Sequence, residues 1–180
     1  MPRARKDYSH FYYLGTHGAE VLFMSDAVDL LKEQHAEVTA LFIQAQRVSD
    51  PALCAHIFRT IDTSLRDHAT IEEKIFYPAF KERARDASQA DEVTEAFREH
   101  DEVKTALGDV ERTDPASPAF KSKLESLRNL VLHHALEEET GMLRQARKLF
   151  TQSELDDLAH RMEQAAKLAS PVYEMVGPAV

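Results

Sequence analysis

The sequence predicts an all-α fold, an up-down-up-down four-helix bundle with an additional C-terminal helix. Three observations carry that expectation. Only 5 Gly and 7 Pro occur in 180 residues, and most of the prolines separate long stretches of Ala, Leu, Glu, Lys, Gln and Arg, which lose little entropy in a helix. The apolar residues of these stretches recur in alternating steps of four and three, the spacing of a seam packed against neighbouring helices at shallow angles. The connectors are short, which makes sequential helices antiparallel neighbours.

Each element has a start signal. Ser25 or Asp26 opens a first helix running to about Val48. Asp50-Pro51 is an N-cap followed by proline at the first helical position, and the second helix runs to about Ala84. Ser88 caps a third that lasts to about Thr113. Asp114-Pro-Ala-Ser-Pro118 is a connector whose Ser117-Pro118 repeats the cap-plus-proline device, and the fourth helix runs to about Phe150. Ser153 with Asp156 three residues on resembles a capping box and starts a fifth, shorter helix that ends near Ser170-Pro171 and packs outside the bundle. Residues 1–24 are then an N-terminal segment, 25–150 the bundle, and 151–180 a C-terminal helix and tail. Pro78 forfeits the backbone bond to Lys74 and is expected to kink or end the second helix.

The seams are not purely apolar. Helix two reads Cys54, Phe58, Ile61, Leu65, His68, Glu72, Ile75, Ala79, and helix four reads Phe120, Leu124, Leu127, Val131, His134, Glu138, Gly141, Gln145. Helix one carries His35 among Val28, Leu31, Val38 and Phe42; helix three carries His100 among Val93, Ala96, Val103, Leu107 and Val110. Nine His and eighteen Glu in 180 residues lead one to expect about one His-x-x-x-Glu by chance, and three occur. The spacing is the stronger signal: the steps from His35 to His100, from His68 to His134 and from Glu72 to Glu138 agree to within a single position. This is an internal duplication of helix-His followed by helix-His-x-x-x-Glu.

Counted from the connectors at a rise of about 1.5 Å per residue, the four histidines fall within a turn or two of one level of the bundle. Glu72 and Glu138 lie one turn beyond their own His on the same face. Two bare carboxylates in a core cost several kcal/mol each, or stay protonated, unless cations compensate them. No Lys or Arg occupies the inward seam beside them. Metal ions supply the missing charge, and six ligands (His35, His68, Glu72, His100, His134 and Glu138) suit two metals bridged by carboxylate. A nitrogen and oxygen set without thiolate suits iron or manganese and tolerates zinc. The rival pair His133 and Glu137 is rotated by about 100° from this seam, which makes His133 a flanking surface residue, with a second-layer group or an alternative ligand as the other readings. Glu73 and Glu139, which follow the inward carboxylates, are expected on a solvated face, with a hydrogen bond to a ligand imidazole as the alternative.

The order His35, His68-x-x-x-Glu72, His100, His134-x-x-x-Glu138 resembles the hemerythrin-like, HHE cation-binding family. His68-Ala-Thr-Ile-Glu-Glu-Lys-Ile-Phe-Tyr-Pro is similar to that family's second-helix phrase, including its proline. The likeness covers about residues 25–150. It implies a non-haem diiron site with those six ligands and an oxygen-derived oxo or hydroxo bridge, the fold being one of the standard bundle types. The oxygen-carrying members have a second His one turn after the first on helix three, where this chain has Lys104. The absent fifth imidazole favours reaction with dioxygen or hydrogen peroxide, catalase-like, over oxygen transport. The competing readings are an iron- or oxygen-sensing or iron-handling protein without turnover, and a structural zinc site.

Charge and composition remove other classes. Lys plus Arg is 22 against 31 acidic residues, a net charge of −9 that opposes a phosphate backbone, so no nucleic-acid partner is expected. A single Cys, Cys54, gives no intrachain disulfide; it is expected to be a buried, inert thiol. No apolar run reaches the 18 or so residues of a membrane span, and the N-terminus lacks a signal-peptide apolar region, so a cytoplasmic location without membrane is expected. His10, His17, His56 and His160 fall outside the pattern. Tyr8, Tyr12 and Tyr13 cluster with Phe11 ahead of helix one, to pack over an end of the bundle or reach the metals. Gly141 interrupts helix four one turn past Glu138, where the repeat has Ile75, and the missing bulk either opens space beside the metals or allows close packing against another helix. On the first reading Gly141→Leu should slow the approach of peroxide or azide to an iron-loaded protein without removing iron; access rates unchanged in stopped-flow absorbance would refute this.

Overall fold

The computed structural model describes residues 25–169, so the N-terminal tyrosines with Phe11, His10 and His17 lie outside the described residues. The elements are α1 (Ala27–Arg47), α2 (Pro51–Ile71), a π-helical turn (Glu72–Phe76), α3 (Tyr77–Arg83), α4 (Ala87–Glu111), α5 (Pro118–Thr140), α6 (Met142–Leu149) and α7 (Gln152–Ala169), with no strand among the described residues. The bundle consists of α1, α2 continued by α3, α4, and α5 continued by α6. Within it α1 packs on α2 and α5, and α4 packs on α5 and α2.

Most caps form where the sequence places them. The Asp26 carboxylate accepts the N–H groups of Val28 (2.9 Å) and Asp29 (3.1 Å), Asp50 that of Ala52 (3.0 Å), and Ser117 Oγ that of Ala119 (3.2 Å). Two starts differ. Asp86 rather than Ser88 caps α4, accepting from Gln89 N at 3.0 Å. The box at α7 is Thr151 with Glu154, not Ser153 with Asp156. Glu154 accepts from Thr151 N at 2.8 Å while Thr151 Oγ1 faces Glu154 N at 3.4 Å. The longer Glu side chain reaches back to the cap residue, while Asp156 takes Gln152 Nε2 at 2.9 Å.

Pro78 does not end helix two. The Tyr77 N–H bonds five residues back to Glu72 O, and Pro78 falls in the first turn of α3, directly after the π turn. The wider π turn also moves the seam by one residue. Phe76, Tyr77 and Phe80 are the fully buried residues beyond Glu72, while the expected Ile75 and Ala79 are only partly buried. The second repeat shifts in the same sense: past the break at Gly141, Met142, Leu143 and Ala146 go inward instead of Gly141 and Gln145.

The core is split in two. One apolar cluster gathers Val38, Phe42, Cys54, Ile61, Leu65, Val103, Leu107, Leu127 and Val131, with Cys54 a buried free thiol. The other gathers Leu31, Ile71, Phe76, Tyr77, Phe80, Ala96, Met142 and Leu143. Packed on the bundle against α1, α2 and the π turn, α7 closes this second cluster with Leu155, Leu158, Ala159 and Met162. The clusters are separated by the level at which each of the four long helices places a histidine.

Asp26 ties three elements together. Besides capping α1 it accepts Arg147 Nη1 at 2.7 Å and Gln152 Nε2 at 3.0 Å, and it is itself buried. Asp26→Ala should therefore cost about 2 kcal/mol, the upper end for a lost cap, read as a lowered denaturant midpoint with an unchanged slope.

Candidate metal centre

His35, His68, His100, His134, Glu72 and Glu138 all lie buried in the layer between the two apolar clusters. Ligand atoms of His35, His68, Glu72, His134 and Glu138 are within 4.8 Å of one another. His100 stands just outside that group of five, with its Nε2 3.2 Å from His134 Nε2 and 3.2 Å from Glu72 Oε2. The imidazoles form two pairs, each drawn from two helices: His35 Nε2 faces His68 Nε2 at 3.2 Å, and His100 Nε2 faces His134 Nε2 at 3.2 Å. Glu72 Oε2 touches both pairs, 3.2 Å from His68 and 3.2 Å from His100, and Glu138 Oε2 is 3.4 Å from His35 Nε2.

Each of these imidazoles has an oxygen at its other nitrogen. His35 Nδ1 meets Glu139 Oε1 (3.0 Å), His68 meets Gln34 Oε1 (2.8 Å), His100 meets Glu73 Oε1 (2.8 Å) and His134 meets Glu99 Oε2 (2.8 Å). Carboxylate and amide oxygens only accept, so each Nδ1 carries the hydrogen and each Nε2 presents a lone pair to the centre. Two lone pairs held this close repel, and no hydrogen lies between them. Glu72 Oε1 and both Glu138 oxygens are also buried without a hydrogen-bond partner. Converging lone pairs and orphaned carboxylate oxygens are what a cation resolves, and an oxygen at each Nδ1 is how metal-bound histidines are oriented.

Titration behaviour follows the same geometry. Burial raises the Glu72 carboxyl to about 7. Burial, and next to it the Glu72 charge, push Glu138 well above its ordinary value. Burial lowers His35 to about 4 and holds His68 well below the usual imidazole value. Burial also lowers His134, but the bond to Glu99 and the charges of Glu72 and Glu138 outweigh it, leaving a net rise. A buried layer in which acids resist ionising and two imidazoles resist protonation lacks a positive charge.

Several members of the site were not foreseen. Tyr77 places its hydroxyl 3.2 Å from Glu72 Oε2, to which it donates, and 3.3 Å from His100 Nε2. The π turn brings it inward, and no sequence periodicity signals that. For Glu73 and Glu139 the alternative to a solvated face holds, since they orient His100 and His35; Glu73 also holds Lys104 Nζ at 2.7 Å. Gln34 and Glu99 complete the set, and their signal was available: they stand at the same offset as His35 and His100, each immediately preceding its helix's histidine. His133 is exposed, its Nε2 3.1 Å from Glu137, as its rotation off the seam requires.

Two cavities reach the layer. One of about 250 Å³ is lined by all four histidines, apolar Val38 and Leu65, and Lys104 at one side. The other, of about 100 Å³, is lined by Gly141, His134 and Glu138. A Cβ on Gly141 would meet the Glu137 carbonyl oxygen at 2.9 Å and Glu92 Oε2 at 3.2 Å, so bulk there displaces the cavity wall.

Comparison with known proteins places this geometry in a family. The sequence profile of the hemerythrin HHE cation-binding domain matches residues 26–146. The structure of a hemerythrin HHE cation-binding domain-containing protein from Mycobacterium kansasii is similar with a TM-score of 0.69 and 26% identity, covering 81% of this chain and 90% of that one. A protein named DNA nickase from Nostoc sp. is 26% identical over 137 residues, 76% of this chain but 38% of the relative. The chain thus spans well under half the length of that relative.

Metal-free protein should show the cost of the buried carboxyls. With a folded value of about 7 against 4.5 unfolded, Glu72 contributes stability that is fully present below pH 4.5 and lost as pH rises through about 7. Glu72→Gln does not titrate, so above pH 7 the metal-free variant should be more stable than metal-free wild type, the gap closing toward pH 4.5. Adding a divalent cation should reverse the order, because wild type alone keeps the full donor set. Chemical denaturation at pH 5 and pH 8, with and without metal, checks both signs.

Proposed function

The chain belongs to the hemerythrin HHE cation-binding domain family, and from that premise we propose that its buried layer holds two iron ions and reacts with dioxygen or hydrogen peroxide in a catalase-like manner. The observation that carries the count is the pairing: two separate Nε2 to Nε2 contacts, His35 with His68 and His100 with His134, bridged by one Glu72 oxygen that touches both. Each pair would take one ion, with Glu72 and Glu138 across the two. Nitrogen and oxygen donors without thiolate suit iron and also admit manganese or zinc. Bound iron would supply the change of oxidation state that peroxide or dioxygen chemistry requires.

The chain's own residues do the rest. Glu73, Glu139, Gln34 and Glu99 fix the imidazoles in one tautomer and direction before any ion arrives. Tyr77 holds a proton beside Glu72. Burial, followed by the Glu72 and Glu138 charges, keeps that phenol protonated far above its ordinary value. Peroxide disproportionation moves protons between oxygens, and the Tyr77 hydroxyl is a buried donor at the right place to serve it. Lys104, where oxygen carriers have a fifth His, is paired with Glu73 at one side of the larger cavity, which leaves space beside the histidines for a small molecule. Dioxygen and hydrogen peroxide are neutral and unaffected by the net charge of −9. The same charge supports a reading without nucleic acid, and the described helices include none long and apolar enough to cross a membrane; we place the protein in the cytoplasm on this reading.

Protein purified without chelator should carry about two irons per chain, show a near-ultraviolet band of a bridged diferric site, and evolve oxygen with hydrogen peroxide. Tyr77→Phe should keep its iron and lose roughly tenfold or more of that turnover. Supercoiled plasmid should remain intact with the iron-loaded protein. Iron that neither changes spectrum nor turns over peroxide points instead to sensing or iron handling, and colourless zinc-loaded protein to a structural site.

A further inference from the structure

A second group of potential ligands lies outside the buried layer. Glu99, His133 and Glu137 bring Glu99 Oε1, His133 Nε2 and Glu137 Oε1 together, with the imidazole nitrogen 3.7 Å from the first carboxylate and 3.1 Å from the second. Separations of this size are those of neighbouring ligand atoms around a divalent ion with bonds of about 2.0–2.2 Å. Glu99 is the telling member. Its Oε2 is committed to His134 Nδ1 at 2.8 Å, whereas its Oε1, in a side chain 8% exposed, has no hydrogen-bond partner and points at the imidazole of His133. His133 and Glu137 are open to solvent at 60% and 51%.

The group is not a by-product of the duplicated inner site. The offset that relates the two halves puts Gln34, Asp67 and Ile71 at the corresponding positions, a set with one carboxylate and no imidazole. Only the half made by α4 and α5 has it. The same half contains the 100 Å³ cavity, lined by Glu92, Glu95, Glu99 and Glu137 and ending at Glu138 and His134 of the buried layer, with no Lys or Arg among the described residues of its wall. Arg98, a cation on this face, is engaged by Glu95 and Glu102.

We infer that Glu99, His133 and Glu137 form an outer site that takes a hydrated divalent cation, such as ferrous iron, from solvent and passes it along this carboxylate-lined cavity into the buried layer. Three ligands at a solvent-open position leave room for several waters, so binding is weak enough to release the ion inward. Glu99 joins the two sites, one oxygen facing the incoming ion and the other orienting His134. The inference rests on the reading that the buried layer holds metal.

Cobalt(II), whose visible spectrum reports coordination, tests it on the chelator-treated full chain. Wild type should show a tight set of ions and one weaker site. His133→Ala, which removes no negative charge, and Glu137→Gln should each abolish the weaker site and slow filling of the tight set by about tenfold or more. The final tight stoichiometry and the helical circular dichroism should stay unchanged. Glu72→Gln, which damages only the inner layer, should retain the weaker site. Wild-type loading rates in both His133→Ala and Glu137→Gln overturn the inference, whether or not the weaker site disappears. A wild type that binds only the weaker ion, with a titration insensitive to Glu72→Gln, refutes the inner-layer reading while leaving the outer site standing.

Discussion

The structure depends on one electrostatic constraint: four imidazole lone pairs and two carboxylates face one another in a buried layer. In that layer the paired Nε2 atoms repel and the carboxyls resist ionisation, so without positive charge the layer opposes folding. The two apolar clusters that seal it supply the opposing drive. They flank the layer on both sides, so a cation bound there would be held mainly by protein atoms, and its binding would couple to fold stability.

The duplicated sequence explains how a short chain builds so regular a set. Each half contributes one helix with a lone His and one with His-x-x-x-Glu, and each half supplies one Nδ1 acceptor to itself and one to the other half. Glu73 and Glu139 serve the lone histidines of α4 and α1, while Gln34 and Glu99 serve those of α2 and α5. The symmetry fails in a few places, and there the chemistry differs. Gln34 is neutral where Glu99 is charged, Ile75 stands where Gly141 is, and Tyr77 enters the layer from one half only. These departures give the two faces of the site separate characters: a wider cavity beside the histidines, and a narrow one walled by carboxylates.

Local backbone irregularity is part of the same design. A π turn follows Glu72 and a helix break follows Glu138, so both halves advance their seam by one residue just past the inward carboxylate. The shift lets Glu72 and Glu138 point to the centre while Phe76, Phe80, Met142 and Ala146, rather than the residues of a continued seam, close the apolar cluster beneath them. Irregular helical turns at functional sites are a recurring device, and here the turn also carries Tyr77 inward.

The sequence by itself determined the helices, most of their caps, the bundle and the level at which the six residues meet, because helical periodicity and the constant offset between the two halves are properties of the chain alone. It also carried the family resemblance that the profile match bears out. Only the tertiary structure decided which side chains complete the layer. Tyr77 turns inward because Pro78 and the π turn reset the register. Glu73 and Glu139 stay partly exposed yet orient histidines, because an imidazole from another helix stands within 3.0 Å of each. The seat of α7 against α1 and the π turn, the cavities, and the orphaned oxygen of Glu99 likewise arise from contacts between helices far apart in the chain. No periodicity within one helix encodes the direction from which its neighbour will approach.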